Sequence, residues 1–267
     1  MAGATTAQRG ERETSGRRPS PPRRPGRPRR RLGLRRRRLL AMTAIAALFL
    51  GTGGTWALYG STWLRVERVS ASGTEVLSRS EVREAADVPL GSPLISVDTE
   101  AIESRLRTRL PRIDSVDVVR AWPHGIGLKV VERKPVLLIR TGSKFIEVDE
   151  EGVRFATVPN APRGVPLLEL TVDQSPSLRR FDTGRLVLEA VRVTGRLPGE
   201  VAEDLRVVRV RSYDSISLEL SGDRTVVWGS GERGKAKARA LTALMKAAPK
   251  AGHFDVSTPT APAVSGS

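Results

Sequence analysis

The chain has 267 residues, no cysteine and a formal net charge of +16 at pH 7. Fourteen Arg against two Glu within residues 1–38 account for +12 of that charge, which leaves only +4 for the rest of the chain. These numbers exclude disulfides and thiolate metal sites, and they confine the basicity to one segment instead of a folded basic surface.

Residues 1–36 are rich in Arg, Pro, Gly and Ser and contain no aromatic residue. Such a segment cannot bury enough apolar surface to offset the entropy of ordering, so we predict a disordered, Arg-rich cytoplasmic tail. Its charge could attract DNA or anionic lipid without sequence preference. Because it has no stacking residues and no folded reader, we expect no specific nucleic acid partner.

No charged residue occurs between Leu39 and Leu64. A helix over Leu39–Tyr59 would be about 31 Å long, close to the hydrocarbon thickness of a bilayer. Trp56 and Trp63 cluster with Tyr59 at its far end, where aromatic rings favour the membrane interface. We therefore predict a transmembrane helix over residues 37–60 that anchors a single-pass protein in the lipid bilayer.

The arginines at 35–38 predict the orientation of that helix, because basic residues resist translocation. The N-terminus is then cytoplasmic and the C-terminal domains are extracytoplasmic, which is a type II arrangement. The alternative is a cleaved signal peptide. It is disfavoured because the tail is long for such a peptide and no small-x-small cleavage pair precedes Ser61.

The next segment, residues 65–134, predicts the order β-α-α-β-β. The first strand ends at Gly73, a capping box at Ser78 and Glu81 opens the first helix, and Asp98 is suited to cap the second. Two alternating runs are then joined by a turn at Pro123-His124-Gly125, which indicates a hairpin.

Residues 135–260 predict a mixed, mainly antiparallel β domain with two helices, so the fold class is α+β. The runs LRVVRVRS, SISLELS and RTVVW are typical of an antiparallel meander. Helices are expected at 182–198 and 235–248, followed by a last strand, HFDVS. Residues 261–267 are expected to form a flexible C-terminal tail.

A glycine-rich stretch, TVVWGSGERGKAKARALTALMK, raises the question of a dinucleotide site. Gly229, Gly231 and Gly234 have G-x-G-x-x-G spacing, and Asp255 follows about twenty residues later, where a ribose-binding acid would lie. Such a site needs a parallel strand before the turn and more βαβ units after it. Because the preceding strand belongs to the meander, we interpret the glycines as a tight loop before a helix and expect no cofactor.

Other titratable residues do not cluster in the sequence. His124 and His253 are isolated, which argues against a zinc site or a catalytic triad. The acidic run Asp149–Gly152 lacks the further oxygen ligands of a calcium loop and is interpreted as a solvated turn. Lys237 is assigned to the solvated face of the last helix. We therefore expect no enzyme, no metal and no small-molecule substrate.

The order of these elements resembles the bacterial cell-division protein family FtsQ/DivIB. The stretch from Val66 to Val136 looks like the family's polypeptide-transport-associated (POTRA) domain. Its landmarks here are Gly73, Gly91, Asp98, Leu110-Pro111, Arg120-x-Trp122-Pro123 and Glu132-Arg133-x-Pro135. Downstream, VDEEGVRF, Leu197-Pro198, GDRTVVWG and FDVSTPTAP resemble the family's β domain.

The resemblance implies a non-enzymatic divisome component at the division septum that links early and late division proteins and regulates septum formation. Its implied partners are small bitopic division proteins, FtsB/DivIC-like and FtsL-like. The family's partner surface lies at the end of the β domain. In this chain it corresponds to Phe254, Asp255, Val256, Ser257, Thr258, Pro259 and Thr260.

A final strand at a sheet edge would also offer unpaired backbone groups to a partner strand. In HFDVST, alternation predicts that Phe254 and Val256 face the core while His253, Asp255 and Ser257 face outward. Three other interpretations remain at this point: a POTRA-bearing factor in protein transport, an exported enzyme, and a membrane-tethered nucleic-acid binder.

Overall fold

The computed structural model describes residues 33–171 and 182–266. Residues 1–32, which hold most of the predicted disordered tail, lie outside the described residues. Helix α1 spans Leu34–Tyr59 and has 26 residues, so it is about 39 Å long. Its stretch Arg35–Tyr59 is long and apolar enough to cross a membrane, as no other helix of the described ranges is. The helix begins at Leu34 rather than at residue 37, because Arg is a good helix former.

The first folded region after α1 has the predicted β-α-α-β-β order. Its elements are a 3-10 turn at Thr62–Leu64, β1 at Arg68–Ser72, α2 at Arg79–Ala86, a second 3-10 turn at Leu94–Ser96, α3 at Thr99–Arg109, β2 at Ile113–Ala121 and β3 at Gly125–Glu132. The strand order is β1-β3-β2, with β3 parallel to β1 and antiparallel to β2. The fold class and the hairpin are confirmed.

Local capping explains where the two helices begin. The Ser78 hydroxyl accepts the Glu81 N–H, and the Glu81 carboxylate accepts the Ser78 N–H, so the predicted capping box is present. These bonds from the Ser78 side chain and backbone lower the pKa of Glu81. The Asp98 carboxylate accepts the Ala101 N–H at 3.0 Å and opens α3.

The end of β3 is tied to the segment that precedes α2. Glu132 is only 7% exposed. Its carboxylate accepts the N–H groups of Glu75 and Leu77 at 2.8 and 3.0 Å. Gly73 allows this close approach, because it has a φ of +81° and a Cβ at this position would lie 2.1 Å from the Val130 carbonyl oxygen.

The second region contains a nine-stranded mixed sheet. Its elements are β4 at Leu137–Thr141, β5 at Lys144–Val148, β6 at Arg154–Val158, β7 at Leu167–Leu170, α4 at Thr183–Thr194, α5 at Gly199–Asp204, β8 at Leu205–Ser212, β9 at Ser215–Leu220, β10 at Thr225–Gly229, α6 at Gly234–Ala247, β11 at His253–Asp255 and β12 at Ala263–Ser265. The strand order is β12-β11-β10-β9-β8-β7-β4-β5-β6, and most neighbouring pairs are antiparallel. Apolar residues of α4 and α6 are buried with those of the sheet in one core.

Two elements of this region differ from the sequence-based expectation. The short helix α5 follows Pro198 directly and was not expected. Strand β12 lies within residues 261–267, which were expected to form a flexible tail. It forms because it pairs with β11, and three residues are too short a run to show a strand pattern in the sequence.

Buried ion pairs join the POTRA-like region to the sheet. Arg112 pairs with Glu147 of β5, and its guanidinium lies 5.2 Å from the centroid of the Phe155 ring. Arg133 pairs with Asp149. Both carboxylates are only 3% exposed. Pairing with the two arginines offsets the free-energy cost of burying these charges.

The acidic run forms the predicted turn with Glu150 and Glu151 exposed, but Asp149 is buried. One Asp149 oxygen accepts the N–H groups of Glu151 and Val153 at 2.9 and 2.8 Å, and the other pairs with Arg133. The Glu151 carboxylate lies 3.3 Å from the same guanidinium. Burial alone would lower the pKa of Arg133, but hydrogen bonds to these carboxylates raise it above its ordinary value.

Candidate partner-binding surface

The C-terminal strands form one end of the nine-stranded sheet. Strand β11 pairs parallel with β10 through Val226 and Phe254, and antiparallel with β12 through Phe254 and Val264. It is therefore paired on both sides. The expectation that HFDVS is the edge strand is wrong, because β12 covers it and becomes the edge.

The hydrogen-bond pattern shows which backbone groups of β12 face the open edge. The Thr225 N–H donates to the Gly252 carbonyl at 2.8 Å, so in the parallel pair the backbone groups of Phe254 point toward β10. Backbone direction alternates along a strand, so the residues on either side of Phe254 bond toward β12, and Val264, opposite Phe254, points its N–H and C=O groups away from β11. No strand of the described ranges pairs with that outer side.

The seven residues predicted to bind a partner lie together but in two different environments. Phe254 and Val256 are 1% and 0% exposed, and the Val256 N–H donates to the Val227 carbonyl at 3.0 Å. They are core residues that hold β11 in place. Asp255 is half-buried, and its carboxylate accepts the Ser257 N–H at 2.9 Å, which turns the chain out of the strand.

The other predicted residues form the loop between β11 and β12. Thr258 and Thr260 are exposed, and Ser257 and Pro259 are half-buried. A turn closes the loop, because the Ala261 N–H donates to the Thr258 carbonyl at 3.0 Å. The edge strand at Ala263–Ser265 was not predicted, because the stretch Pro-Ala-Val-Ser has no clear strand pattern.

A shallow groove lies beside the new edge strand. It has a volume of about 400 Å³ and is lined by Ala248, Pro249, Lys250, Ala251, Val264, Ser265 and Gly266. Val264 is 40% exposed in it. A side chain of a segment paired with β12 could enter this groove, since side chains alternate between the two faces of a sheet.

The glycine-rich turn lies behind this surface and packs against the chain itself. Gly229 has a φ of +75°, and a Cβ there would lie 3.0 Å from the Ser257 Cβ. A Cβ at Gly231 would lie 2.2 Å from the Glu189 carboxylate, so the turn has no room for larger residues. A carboxylate at this place would also repel a phosphate group.

Lys237 accounts for the shape of the turn. It is 2% exposed, which contradicts its assignment to a solvated helix face. Its ammonium donates to the Trp228 and Ser230 carbonyls at 2.9 and 2.8 Å, and burial lowers its pKa. The turn therefore presents carbonyls to a buried cation, whereas phosphate-binding turns present N–H groups.

The two histidine side chains each make one hydrogen bond, at positions far apart in the chain. His253 bonds to the Thr225 hydroxyl at 2.8 Å through Nδ1, and His124 bonds to the Trp63 carbonyl at 2.7 Å through Nδ1. Within residues 33–171 and 182–266, no group of three or more His, Asp or Glu side chains is placed to hold a metal ion. The surface described above therefore offers backbone pairing and a shallow groove.

Several known proteins are similar to this chain in sequence. The family described as "POTRA domain, FtsQ-type" matches residues 64–133. "Cell division protein FtsQ" of Streptomyces collinus is 62% identical over all of both chains. The protein of the same name from Streptomyces venezuelae is 68% identical and covers 86% of this chain and 84% of its own.

Two more distant proteins also match parts of this chain. "Cell division protein FtsQ" of Mycobacterium tuberculosis is 31% identical over 85% of this chain and 68% of its own. Among solved structures, the major extracytoplasmic domain of the division protein DivIB from Geobacillus stearothermophilus matches 43% of this chain and 93% of its own, with 17% identity and a TM-score of 0.32.

Proposed function

The chain belongs to the FtsQ family of cell division proteins, and from that membership we propose that it is a non-enzymatic, membrane-anchored scaffold of the divisome. The observation that carries the proposal is the 62% identity to a cell division protein FtsQ over the full length of both chains. The scaffold would link early and late division proteins at the septum and regulate septum formation. A buried lysine fills the glycine-rich turn, which supports a structural role for that motif.

We propose that α1 crosses the cell membrane with its N-terminus in the cytoplasm. The support is the asymmetry of the helix. Arg35–Arg38 form its first turns, and Trp56 and Tyr59 lie in its last turn and a half. Basic residues favour the cytoplasmic side and aromatic residues favour the interface. Residues 65–266 would then act outside the cytoplasm.

We further propose that a small bitopic division protein, FtsB/DivIC-like or FtsL-like, docks at the C-terminal end of the sheet. An extended segment of that partner would pair with the outer side of β12. It would also touch the exposed part of the loop Ser257–Thr260. The support is the outward direction of the Val264 backbone groups, which is what strand addition requires.

The experiment that tests this surface uses two substitutions at one position. Val264→Pro removes an outward N–H, and proline is tolerated at an edge strand when its missing N–H faces solvent. Val264→Ala is the matched control, because it shortens the side chain and keeps the backbone donor. The full-length protein would be purified from membranes and its small bitopic partners detected. We expect loss of the partner with Val264→Pro and retention with Val264→Ala.

Equal recovery of the partner with both variants would contradict strand pairing at β12. The wider proposal is tested by the same variants in cells that depend on this protein for division. Val264→Pro should reduce septum formation while the protein remains in the membrane at wild-type level. Normal septation together with lost partner binding would contradict the scaffold function.

A further inference from the structure

Three large apolar side chains are exposed on the POTRA domain, near the place where it joins α1. Trp63 is 68% exposed, Leu90 is 66% exposed and Trp122 is 50% exposed. Trp63 lies in the 3-10 turn after α1, Leu90 lies in the loop between α2 and α3, and Trp122 lies in the turn between β2 and β3. Their distance in sequence does not reveal that they belong to one end of the domain.

The hairpin turn is held against the segment that follows α1. The His124 Nδ1 bonds to the Trp63 carbonyl at 2.7 Å, and the two rings meet edge to face with centroids 6.2 Å apart. The Glu67 and Arg68 N–H groups both donate to the His124 carbonyl, at 2.8 and 3.2 Å. Trp122, two residues before His124, is therefore fixed beside this segment.

The loop that carries Leu90 is held against the same segment. The Gly91 N–H donates to the Val66 carbonyl at 2.8 Å, and the Val66 N–H donates to the Ser92 carbonyl at 2.9 Å. The Arg65 guanidinium adds a bond to the Gly91 carbonyl at 2.7 Å. Both the hairpin turn and this loop are thus hydrogen-bonded to the segment Trp63–Arg68.

Chain length places these side chains near the membrane surface. Trp63 is four residues beyond Tyr59, the last residue of α1, and four residues span at most about 14 Å. The interfacial layer of a bilayer is the region that tryptophan favours, because the ring is apolar and its N–H can still bond to water or headgroups. The neighbouring exposed charges, Glu67 and Arg68, cancel and add no net repulsion from anionic lipid.

We propose that Trp63, Leu90 and Trp122 form a face that docks the POTRA domain onto the lipid interface. The bilayer is the chosen occupant because the covalent tether already holds this face at the depth of the interface. Docking would fix the tilt of the domain relative to the membrane. The proposal rests on α1 crossing a bilayer and does not depend on which division proteins bind elsewhere.

The first experiment measures whether Trp122 contacts lipid. Wild type and Trp122→Phe are reconstituted as full chains in nanodiscs with or without brominated lipids, and the difference in emission between them reports Trp122 alone. Phenylalanine keeps an apolar ring, so the face is preserved. We expect brominated lipid to remove most of the Trp122 emission while aqueous iodide has little effect. Quenching by iodide alone overturns the proposal, and so does protection from both quenchers, which indicates a protein contact.

The second experiment tests whether the face determines the position of the domain. Because the chain has no cysteine, a single spin label can be attached at Ala121→Cys, next to Trp122. Trp122→Ser is expected to move the label toward water in depth measurements. The matched control is Val131→Ser, which changes a residue that is 55% exposed and lies about 20 Å along β3 from the turn. An equal label depth in wild type and Trp122→Ser overturns the proposal.

Discussion

The junction between the POTRA and β domains and the C-terminal end of the sheet are stabilised in different ways. At the junction, Arg112 and Arg133 pair with two carboxylates that are 3% exposed. At the C-terminal end, Phe254 and Val256 enter the core while β12 keeps an open outer side. Ion pairs fix direction as well as distance, whereas apolar burial fixes one face of a strand and leaves its backbone edge available.

This difference suits the proposed scaffold, which would hold one geometry while it binds a partner. The junction has few exposed groups to offer, because its charges are already paired inside the chain. The C-terminal end has a firmly buried inner strand and a short outer strand. Each of the following predictions tests whether the two places differ in this way.

Phe254→Ala should have the largest effect on stability. Removal of a buried phenylalanine side chain costs about 3 to 5 kcal/mol of the free energy of unfolding. Denaturant unfolding followed by tryptophan fluorescence measures this loss, because the buried Trp228 of the same core becomes exposed to water on unfolding. Val264→Ala, one strand away and 40% exposed, is the control and should cost less than about 1 kcal/mol. A similar loss in both variants would mean that β12 is as integral to the core as β11.

Arg133→Met should cause the next largest loss of stability. The change leaves Asp149 buried without its cation, and we expect a loss of about 2 to 3 kcal/mol, below the range for a fully buried pair because the Arg133 side chain is partly exposed. Lys129→Met is the control, since Lys129 and Asp117 form an exposed pair at 3.6 Å. That pair is worth less than about 1 kcal/mol. Equal denaturation midpoints for the two variants would show that the junction does not depend on its buried pair.

Lys237→Met should cost about 1 to 2 kcal/mol, because the Trp228 and Ser230 carbonyls lose their donor. The burial that lowers the pKa of Lys237 also gives a pH effect. The unfolded state binds more protons between the lowered pKa and the ordinary one, so wild-type stability should rise with pH across that window. The methionine variant should lack this rise. A rise of the same size in both proteins would assign it to another group.

Deletion of residues 261–267 should have the smallest effect on stability, less than about 1 kcal/mol, because residues 261–266 are exposed. Its effect on the partner is more informative. On the proposal that a partner strand pairs with β12, co-purification should be lost. Stronger co-purification would show that the partner pairs with β11 and that β12 competes for the same edge.

The elements that could be predicted from the sequence are those specified by nearby residues. The capping box at Ser78 and Glu81, the hairpin turn and the meander all depend on residues close together in the chain. The buried states of Asp149 and Lys237 could not be predicted in this way. Each charge is buried because another segment surrounds it, and a charged residue in a turn or on a helix usually faces solvent.

The candidate site was predicted in part for the same reason. The alternation in HFDVST indicated correctly that Phe254 and Val256 face the core. The covering strand β12 was missed because three residues give too short a pattern, and their pairing with β11 exists only in the folded chain. The exposed face of Trp63 and Trp122 likewise depends on contacts between residues 61 positions apart.

The consecutive residues Glu132 and Arg133 bond in opposite directions. Glu132 holds the N–H groups ahead of α2 in the POTRA domain, while Arg133 reaches Asp149 beyond β5. Only Lys134 and Pro135 then remain before Val136, whose N–H donates to the Val148 carbonyl at 2.8 Å. The boundary between the domains therefore contains almost no slack. A pulling force applied at the C-terminal strands would therefore reach the POTRA domain directly, without first extending a flexible linker.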